Sequence, residues 1–182
     1  MKMNKLYGSL IILGILLVTA CSTDQNRQNA EVNTPEEVKK EQASTADIAD
    51  VSFIDGMTGK AFHNYLQLQR ALFNSDLDEA KKVAGNLSET FTEERANLKS
   101  LADQMAESDD LENVRTAFSA FTNEAETFFT DALSKGTIYK QYCPMAFNNQ
   151  GAYWIADVKP ISNPYFGDRM AKCGKTVETI SK

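Results

Sequence analysis

Apolar residues recur at helical spacing through the middle of the chain, and this pattern constrains the fold more than any other feature. Intervals of three, four and seven residues place them on one face of each helix. The pattern predicts three main helices: one over 58–74, a second over 77–105 with a kink near Gly85, and a third that begins at Asp109 and stops at Gly136. Amphipathic helices joined by short turns predict an all-α, up-down helical bundle.

The first 20 residues have the composition of a bacterial lipoprotein signal peptide. Two lysines form a basic start, and the apolar run over 6–18 is too short to span a bilayer. The run leads into Val-Thr-Ala-Cys, which resembles a lipobox and predicts that Cys21 is lipidated and becomes the N-terminus. Ser22 favours sorting to the outer membrane, facing the periplasm, over the inner membrane. We therefore expect a cell-envelope protein that contacts the membrane through its N-terminal lipid.

Residues 21–48 are predicted to form the lipidated cysteine and a flexible tether, and residues 49–182 the folded domain. The tether is rich in polar residues and has no aromatic residue, so it cannot bury enough apolar surface to offset the entropy of ordering. Removing residues 1–20 takes away two of the 19 basic residues and none of the 25 acidic ones, which leaves a net charge of −8. Such a surface repels phosphate backbones, so nucleic acid is excluded as a partner.

Residues 136–174 show no long helical period and are dense in aromatic residues, prolines, cysteines and methionines. This composition predicts an irregular C-terminal cap on the bundle, and irregular segments on rigid scaffolds are where sites are usually found. One short helix is predicted within the cap. Asn163 suits its N-cap, Pro164 its first position and Gly174 its C-terminal stop.

The cap contains two pairs of sulfur-bearing residues, Cys143 with Met145 and Met170 with Cys173. On the predicted short helix the second pair shares one face. Thiolates and thioethers are soft donors that favour Cu(I), whereas structural zinc sites usually recruit Cys and His. The four residues therefore predict a site for Cu(I) or Ag(I), which Trp154 would shield or contact through its ring.

The same cysteines have a simpler interpretation. In an oxidising compartment Cys143 and Cys173 can form a disulfide, and closing a loop of 30 residues contributes on the order of 3–4 kcal/mol. Residue chemistry alone favours this disulfide, although it does not explain why a methionine accompanies each cysteine. His63, the single histidine, is an additional donor only if the cap folds over the first helix.

Sequence signatures of catalysis are missing. The chain has one histidine, no Gly-rich phosphate loop, no His-x-x-x-His spacing and no serine in a nucleophile elbow. Its acidic pair at Asp109-Asp110 suits a helix start, where capping explains it. We therefore expect a protein that is not an enzyme.

Two stretches of the chain resemble a known family. "YLQLQRAL" from Tyr65 and "IYKQYCPMAFNNQGAYWIADVKPISNPYFGDRMAKCG" over 138–174 resemble a domain of unknown function. That domain occurs in free-standing bacterial lipoproteins and at the C-terminus of some periplasmic adaptor (membrane-fusion) subunits of copper/silver efflux systems. The resemblance covers about residues 50–180 and implies metal handling. Carried over by position, the metal ligands are Cys143, Met145, Met170 and Cys173. Ile155-Ala156 departs from the Leu-Ser usual in similar sequences.

Together with the resemblance, these residues predict a periplasmic lipoprotein that binds Cu(I) or Ag(I) as a chaperone or buffer. Its expected partner is a heavy-metal efflux adaptor, to which it passes the metal. The alternative is a disulfide-closed, metal-free interaction module that docks on an envelope complex. The two predictions differ in the redox state of Cys143 and Cys173.

Overall fold

The computed structural model describes residues 51–182. The predicted signal peptide over 1–20, the lipidation of Cys21 and the tether over 21–48 lie outside the described residues. The elements follow in the order β1 (Ser52–Phe53), α1 (Gly56–Phe73), α2 (Leu77–Ser88), α3 (Ala96–Glu107), α4 (Leu111–Ala132), β2 (Leu133–Lys135), β3 (Thr137–Cys143), α5 (Ala146–Asn149), β4 (Ala152–Ala156) and β5 (Lys175–Ser181). Short 3-10 helices occupy Glu93–Arg95 and Gly167–Met170. In this part of the chain, none of the helices combines the length and apolar character that a membrane span needs.

Aspartates begin three of the long helices. The side chains of Asp55, Asp76 and Asp110 each accept a hydrogen bond from the backbone amide three residues later, at 2.8, 3.0 and 2.9 Å. Each bond satisfies one of the amides that a helix start leaves without an internal partner. These caps set the first residues of α1, α2 and α4.

The predicted second helix over 77–105 is wrong, because the segment forms two helices, α2 and α3. The Asn86 carbonyl, in the last turn of α2, accepts a hydrogen bond from Thr90 Oγ1 at 3.0 Å. Ser88 Oγ then donates to Asp103 Oδ1 at 2.5 Å, which ties the end of α2 to α3. The predicted kink lies inside α2, which is a continuous helix.

An aromatic cluster fills the space between the helices. Each long helix contacts the next, and α1 also contacts α4. The Tyr65 ring lies 5.0 Å from that of Phe118, 5.3 Å from Phe129 and 6.1 Å from Phe121, measured between centroids, and all four side chains are fully buried. Large buried rings supply much of the stabilising apolar burial. The prediction of a helical region is confirmed over 56–132.

The predicted all-α fold is wrong, because the chain after α4 forms strands and the domain is mixed α/β. β4, β3 and β5 form an antiparallel sheet with β3 in the centre, and β1 pairs with β2 in a second antiparallel sheet. In the larger sheet Gln141 lies opposite Trp154, Cys143 opposite Ala152, and Tyr142 opposite Lys175. The composition of β3 and β5 explains why these segments form strands, because both are rich in β-branched or aromatic side chains.

The short helix predicted over 164–173 is also wrong, apart from the 3-10 turn Gly167–Met170. Gly167 has a φ of 59°, and a Cβ there would lie 2.7 Å from the carbonyl oxygen of Phe73. A right-handed helix cannot continue through that backbone conformation. Asn163 caps no α-helix: its Oδ1 accepts from the Tyr165 amide at 2.8 Å, but the residues that follow, 164–166, form a turn.

Two buried polar side chains join the cap to the helices. The Tyr65 hydroxyl on α1 accepts from the Ile155 amide of β4 at 3.1 Å. Arg115 on α4 donates from Nε to the Pro164 carbonyl at 3.0 Å and from Nη2 to the Leu72 carbonyl at 3.2 Å. Since buried polar groups are costly when unpaired, these bonds define how the cap sits on the helical region.

Candidate functional site

Cys143 and Cys173 meet at one end of the larger sheet. Cys143 is the last residue of β3, and Cys173 lies two residues before β5, which pairs with β3. Their Sγ atoms are 3.0 Å apart, and both are free thiols. Cys143 is fully buried and Cys173 is half-buried. The separation exceeds the ~2.05 Å of a disulfide bond by about 1 Å.

The backbone of Cys173 is held by a buried asparagine. Asn163 Nδ2 donates to the Cys173 carbonyl at 2.8 Å, and the Asn163 amide donates to the Ala171 carbonyl at 3.1 Å. Asn163 has no exposed surface, so its side chain has no access to solvent as an alternative partner. These bonds set the position of Cys173 relative to the sheet.

Trp154 forms a wall beside Cys173. A Cβ on Gly174 would lie 2.9 Å from Trp154 Cη2 and 3.0 Å from the Tyr142 carbonyl oxygen, so the chain after Cys173 passes directly against the ring. The indole is fully buried and stands edge-on to the Tyr165 ring at 6.0 Å between centroids. The sequence prediction placed Trp154 close to the cysteines, and the structure brings it to them. Contact of the ring with a cation remains a prediction.

A left-handed turn follows the Cys143-Pro-Met segment. Phe147, Asn148 and Asn149 have φ values of 50°, 56° and 67°, the region that favours glycine. Such a conformation costs a residue other than glycine on the order of 1–2 kcal/mol. Successive strained residues cluster at functional sites more than elsewhere, and Asn tolerates the region better than Phe does. Contact of the Phe147 and Tyr165 rings, 5.3 Å apart, holds the turn.

The two predicted methionines lie near the cysteines along the chain. The Met170 carbonyl accepts from the Cys173 amide at 3.0 Å, and Met145 follows Cys143 by two residues. Met145 has 44% of its surface exposed, and Met170 is half-buried. The structure thus places Cys143, Met145, Met170 and Cys173 at the same end of the cap.

The dithiol lies in an environment that disfavours the thiolate. Burial, together with the neighbouring Cys143, raises the pKa of Cys173 from 9.0 to about 11. The Met145 amide acts in the opposite direction, because a hydrogen bond to sulfur favours the charged form. A thiol of this pKa is protonated at neutral pH, so metal binding here would release protons.

An open cleft lies next to the dithiol. It has a volume of about 430 Å³ and is lined by Glu112, Met145, Phe147, Asn148, Asn149, Tyr165, Phe166 and Arg169. Arg169 Nη2 lies 3.6 Å from Glu112 Oε1, and both side chains are about two-thirds exposed. Met145, two residues after the buried Cys143, is therefore both exposed and part of the lining of this cleft.

His63 is on a different part of the surface. It is exposed on α1, its Nε2 lies 3.0 Å from Gln67 Nε2, and it lines a cavity of about 560 Å³ with Phe53 and Leu66. The structure does not bring it to the cysteines. Across residues 51–182, no group of three or more His, Cys, Asp or Glu side chains is placed to hold a metal ion.

The sequence analysis missed two side chains that shape the site. Gln141 is fully buried and donates from Nε2 to the carbonyls of Val158 and Lys159, at 3.2 and 3.0 Å, which anchors the loop after β4. Arg115 reaches Pro164, the residue after the Asn163 that holds Cys173. A lone Gln in an aromatic strand and a lone Arg on an amphipathic helix carry no recognisable sequence signal of these roles.

Comparison with known proteins identifies part of the chain. No curated protein and no solved structure matches it. One family model, described as "Protein of unknown function (DUF3347)", matches the chain and confirms the predicted resemblance to a domain of unknown function. The match ends before β3, so the cysteines lie outside it. Residues 61–134, most of the helical region, are thus similar to the DUF3347 family of proteins of unknown function.

Proposed function

We propose that Cys143 and Cys173 bind Cu(I) or Ag(I) as a cargo, with Met145 and Met170 as thioether donors. The observation that carries the proposal is the pair of free thiols, with sulfur atoms 3.0 Å apart in a buried part of the cap. Two thiolates this close are a ready pair of soft ligands. The role is one of binding rather than catalysis: the protein would act as a chaperone or buffer.

The donor set fits a soft monovalent ion better than zinc. Thiolates that share a metal at about 2.3 Å in a tetrahedral arrangement are about 3.8 Å apart, so the sulfur atoms must separate by less than 1 Å on binding. Cys173 lies in the segment that connects the 3-10 helix to β5. It can therefore move by this distance without changing the hydrogen bonds of β3 with its neighbouring strands. Met145 follows Cys143 by two residues and the Met170 carbonyl accepts from the Cys173 amide, so each cysteine has a methionine near it along the chain that could supply a further soft donor.

The residues around the dithiol would perform separate tasks on binding. Each thiol loses its proton to solvent as a metal–sulfur bond forms, and the Met145 amide stabilises the charge on Cys173. Asn163 holds the Cys173 backbone, and Trp154 excludes water from one side. Because protons compete with the metal for a sulfur of raised pKa, apparent affinity should increase with pH.

The proposed setting is the bacterial cell envelope. Cys21 would carry the lipid, with the protein at the outer membrane facing the periplasm, and residues 21–48 would hold the domain away from the bilayer. A heavy-metal efflux adaptor would be the partner that receives the metal. This setting is supported by the signal-peptide composition of residues 1–20 and by the resemblance described above.

The test is a Cu(I) titration of the reduced protein in competition with bicinchoninate. We expect one Cu(I) per chain. Replacing both thioether ligands, Met145→Leu with Met170→Leu, should weaken binding strongly but change the free energy of unfolding by less than about 1.5 kcal/mol, because Leu conserves apolar volume. Met57→Leu is the matched control, since Met57 is 36% exposed at the start of α1. Wild-type protein that has both thiols reduced and takes no Cu(I) or Ag(I) contradicts the proposal.

A metal-free interaction module is the second candidate, because the same sulfur atoms are within about 1 Å of disulfide distance. In that case Met145→Leu with Met170→Leu would leave the properties of the protein unchanged. Cys143→Ser would lower the free energy of unfolding by about 2–5 kcal/mol, and a reducing agent would reproduce the loss.

A further inference from the structure

We infer that Met145 is the exchange ligand of the site, the donor through which a soft metal ion passes between the buried cysteines and a partner's thioether or thiolate in the adjoining cleft. The inference rests on the proposed function and assigns a separate task to one of its four residues. It also identifies the chemistry of the partner group, a soft sulfur donor presented from the cleft side.

The first support is the difference in exposure between the sulfur residues. Cys143 is fully buried, whereas Met145, two residues later, has 44% of its surface exposed. A metal held by the cysteines would be closed off by Trp154, which is fully buried, and would meet solvent or a partner beside the exposed Met145 and the half-buried Cys173. Metal transfer between sulfur donors proceeds by adding one ligand before another leaves, which requires an accessible ligand.

The second support is the connection of Met145 to both regions. Met145 follows the fully buried Cys143 by two residues. It also lines the cleft of about 430 Å³ with Phe166 and Arg169. One residue thus adjoins the proposed binding pair and borders the space from which a partner would approach.

The third support is the left-handed turn directly after Met145. Phe147, Asn148 and Asn149 all have positive φ values, and the turn ends where the Gly151 amide donates to the Ala146 carbonyl at 2.9 Å. An ordinary turn would avoid this conformation for a phenylalanine. The turn directs Phe147 and the two asparagines to the cleft beside Met145, which keeps the methionine at the cleft mouth.

The transfer step balances without an oxidant or reductant. A sulfur lone pair of the partner forms a bond to the ion while Met145 still holds it, and the ion keeps its charge and electron count. Cys143 and Cys173 release the ion in turn and take up protons from solvent, and the bond from Met145 breaks last. Met145 remains uncharged throughout.

The experiment measures the rates of Cu(I) exchange with bicinchoninate by stopped-flow absorbance, in both directions, on the reduced protein. For Met145→Leu we expect both rates to fall by about tenfold or more, with a smaller change in the equilibrium affinity. Met57→Leu, which alters an exposed methionine in α1, should leave both rates unchanged. Met170→Leu should instead raise the dissociation rate, as the loss of an ordinary ligand does.

Each of the other outcomes contradicts either the inference about Met145 or the proposed function. If Met145→Leu raises the dissociation rate and leaves the association rate unchanged, Met145 is an ordinary ligand and the inference is overturned. If neither rate changes, Met145 takes no part and the inference is again overturned, while metal binding by the cysteines stands. If the wild type binds no Cu(I), the proposed function fails, which is a distinguishable result.

Discussion

Replacing Arg115 with methionine tests whether the cap is held on the helices by a buried polar contact. Arg115 is 3% exposed and donates to the carbonyls of Pro164 and Leu72 and to Ser75 Oγ, at 3.0, 3.2 and 3.2 Å. Methionine fills much of the same volume but donates no hydrogen bond. The substitution leaves the Pro164 carbonyl of the cap without its donor, whereas the Leu72 carbonyl still accepts from the Ser75 amide at 3.1 Å.

The expected loss follows from these contacts. A hydrogen bond from a charged donor contributes about 1.5–3 kcal/mol. The ion pair with Glu112 adds little, because the Glu112 side chain is 68% exposed. Methionine also removes the cost of burying a charge, and no buried charge is left unpaired. We therefore expect Arg115→Met to lower the free energy of unfolding by about 2 kcal/mol, chiefly through the lost bond to the Pro164 carbonyl.

Urea denaturation, followed by fluorescence of the single tryptophan, measures this loss. Trp154 lies in the cap, so its signal reports the region that Arg115 is expected to hold. Arg169→Met is the matched control, because Arg169 is 66% exposed and should cost less than about 0.5 kcal/mol. A loss of unfolding free energy below about 1 kcal/mol for Arg115→Met would refute the reasoning, since it would mean that the Pro164 carbonyl finds another donor.

Three further predictions concern the cap and its contact with the helices. Tyr65→Phe should lower the free energy of unfolding by about 1–3 kcal/mol in urea, because it leaves the buried Ile155 amide unpaired. Gly174→Ala should shift the fluorescence of Trp154 and destabilise the protein, because its Cβ would lie 2.9 Å from the ring; an unchanged spectrum would contradict this close approach. The pKa of Cys173 is raised in the folded state from 9.0 to about 11, so its contribution to stability is complete below pH 9 and is lost as pH rises to about 11. Under reducing conditions, the difference in unfolding free energy between wild type and Cys173→Ser should change over that interval, and a constant difference would contradict the raised pKa.

The sequence was sufficient to predict the helical region but not its number of helices. Helical spacing and capping residues indicated starts at 58, 77 and 109, close to the observed first residues Gly56, Leu77 and Leu111. The break between α2 and α3 was missed because it contains neither glycine nor proline. It depends on Ser88 bonding to Asp103, a tertiary contact that helical spacing cannot reveal.

The strands of the cap could have been predicted in part. β5 (KTVETIS) contains two pairs of adjacent β-branched residues, and β3 (TIYKQYC) is rich in strand-forming residues. The abundance of proline, glycine and asparagine between the strands obscured this signal. The left-handed backbone at Phe147 could not have been predicted, because nothing in the residue type favours it.

The cysteine and methionine residues were chosen from their chemistry and spacing, and the structure places them together for a different reason. The expected short helix is absent from this segment, and Cys173 reaches Cys143 because β5 pairs with β3. His63 was a candidate ligand because of its residue type alone. The structure places it on α1, where it lines a different cavity from the one beside Met145.

X-ray absorption at the copper edge, on reduced protein loaded with one equivalent of Cu(I), tests the central claim most directly. The proposal predicts a first shell made only of sulfur at about 2.3 Å, as in other metal–thiolate sites, with a loss of scattering when Met145 and Met170 are both replaced by leucine. A first shell containing nitrogen or oxygen, or copper that stays with the competing chelator while both thiols are reduced, would contradict it.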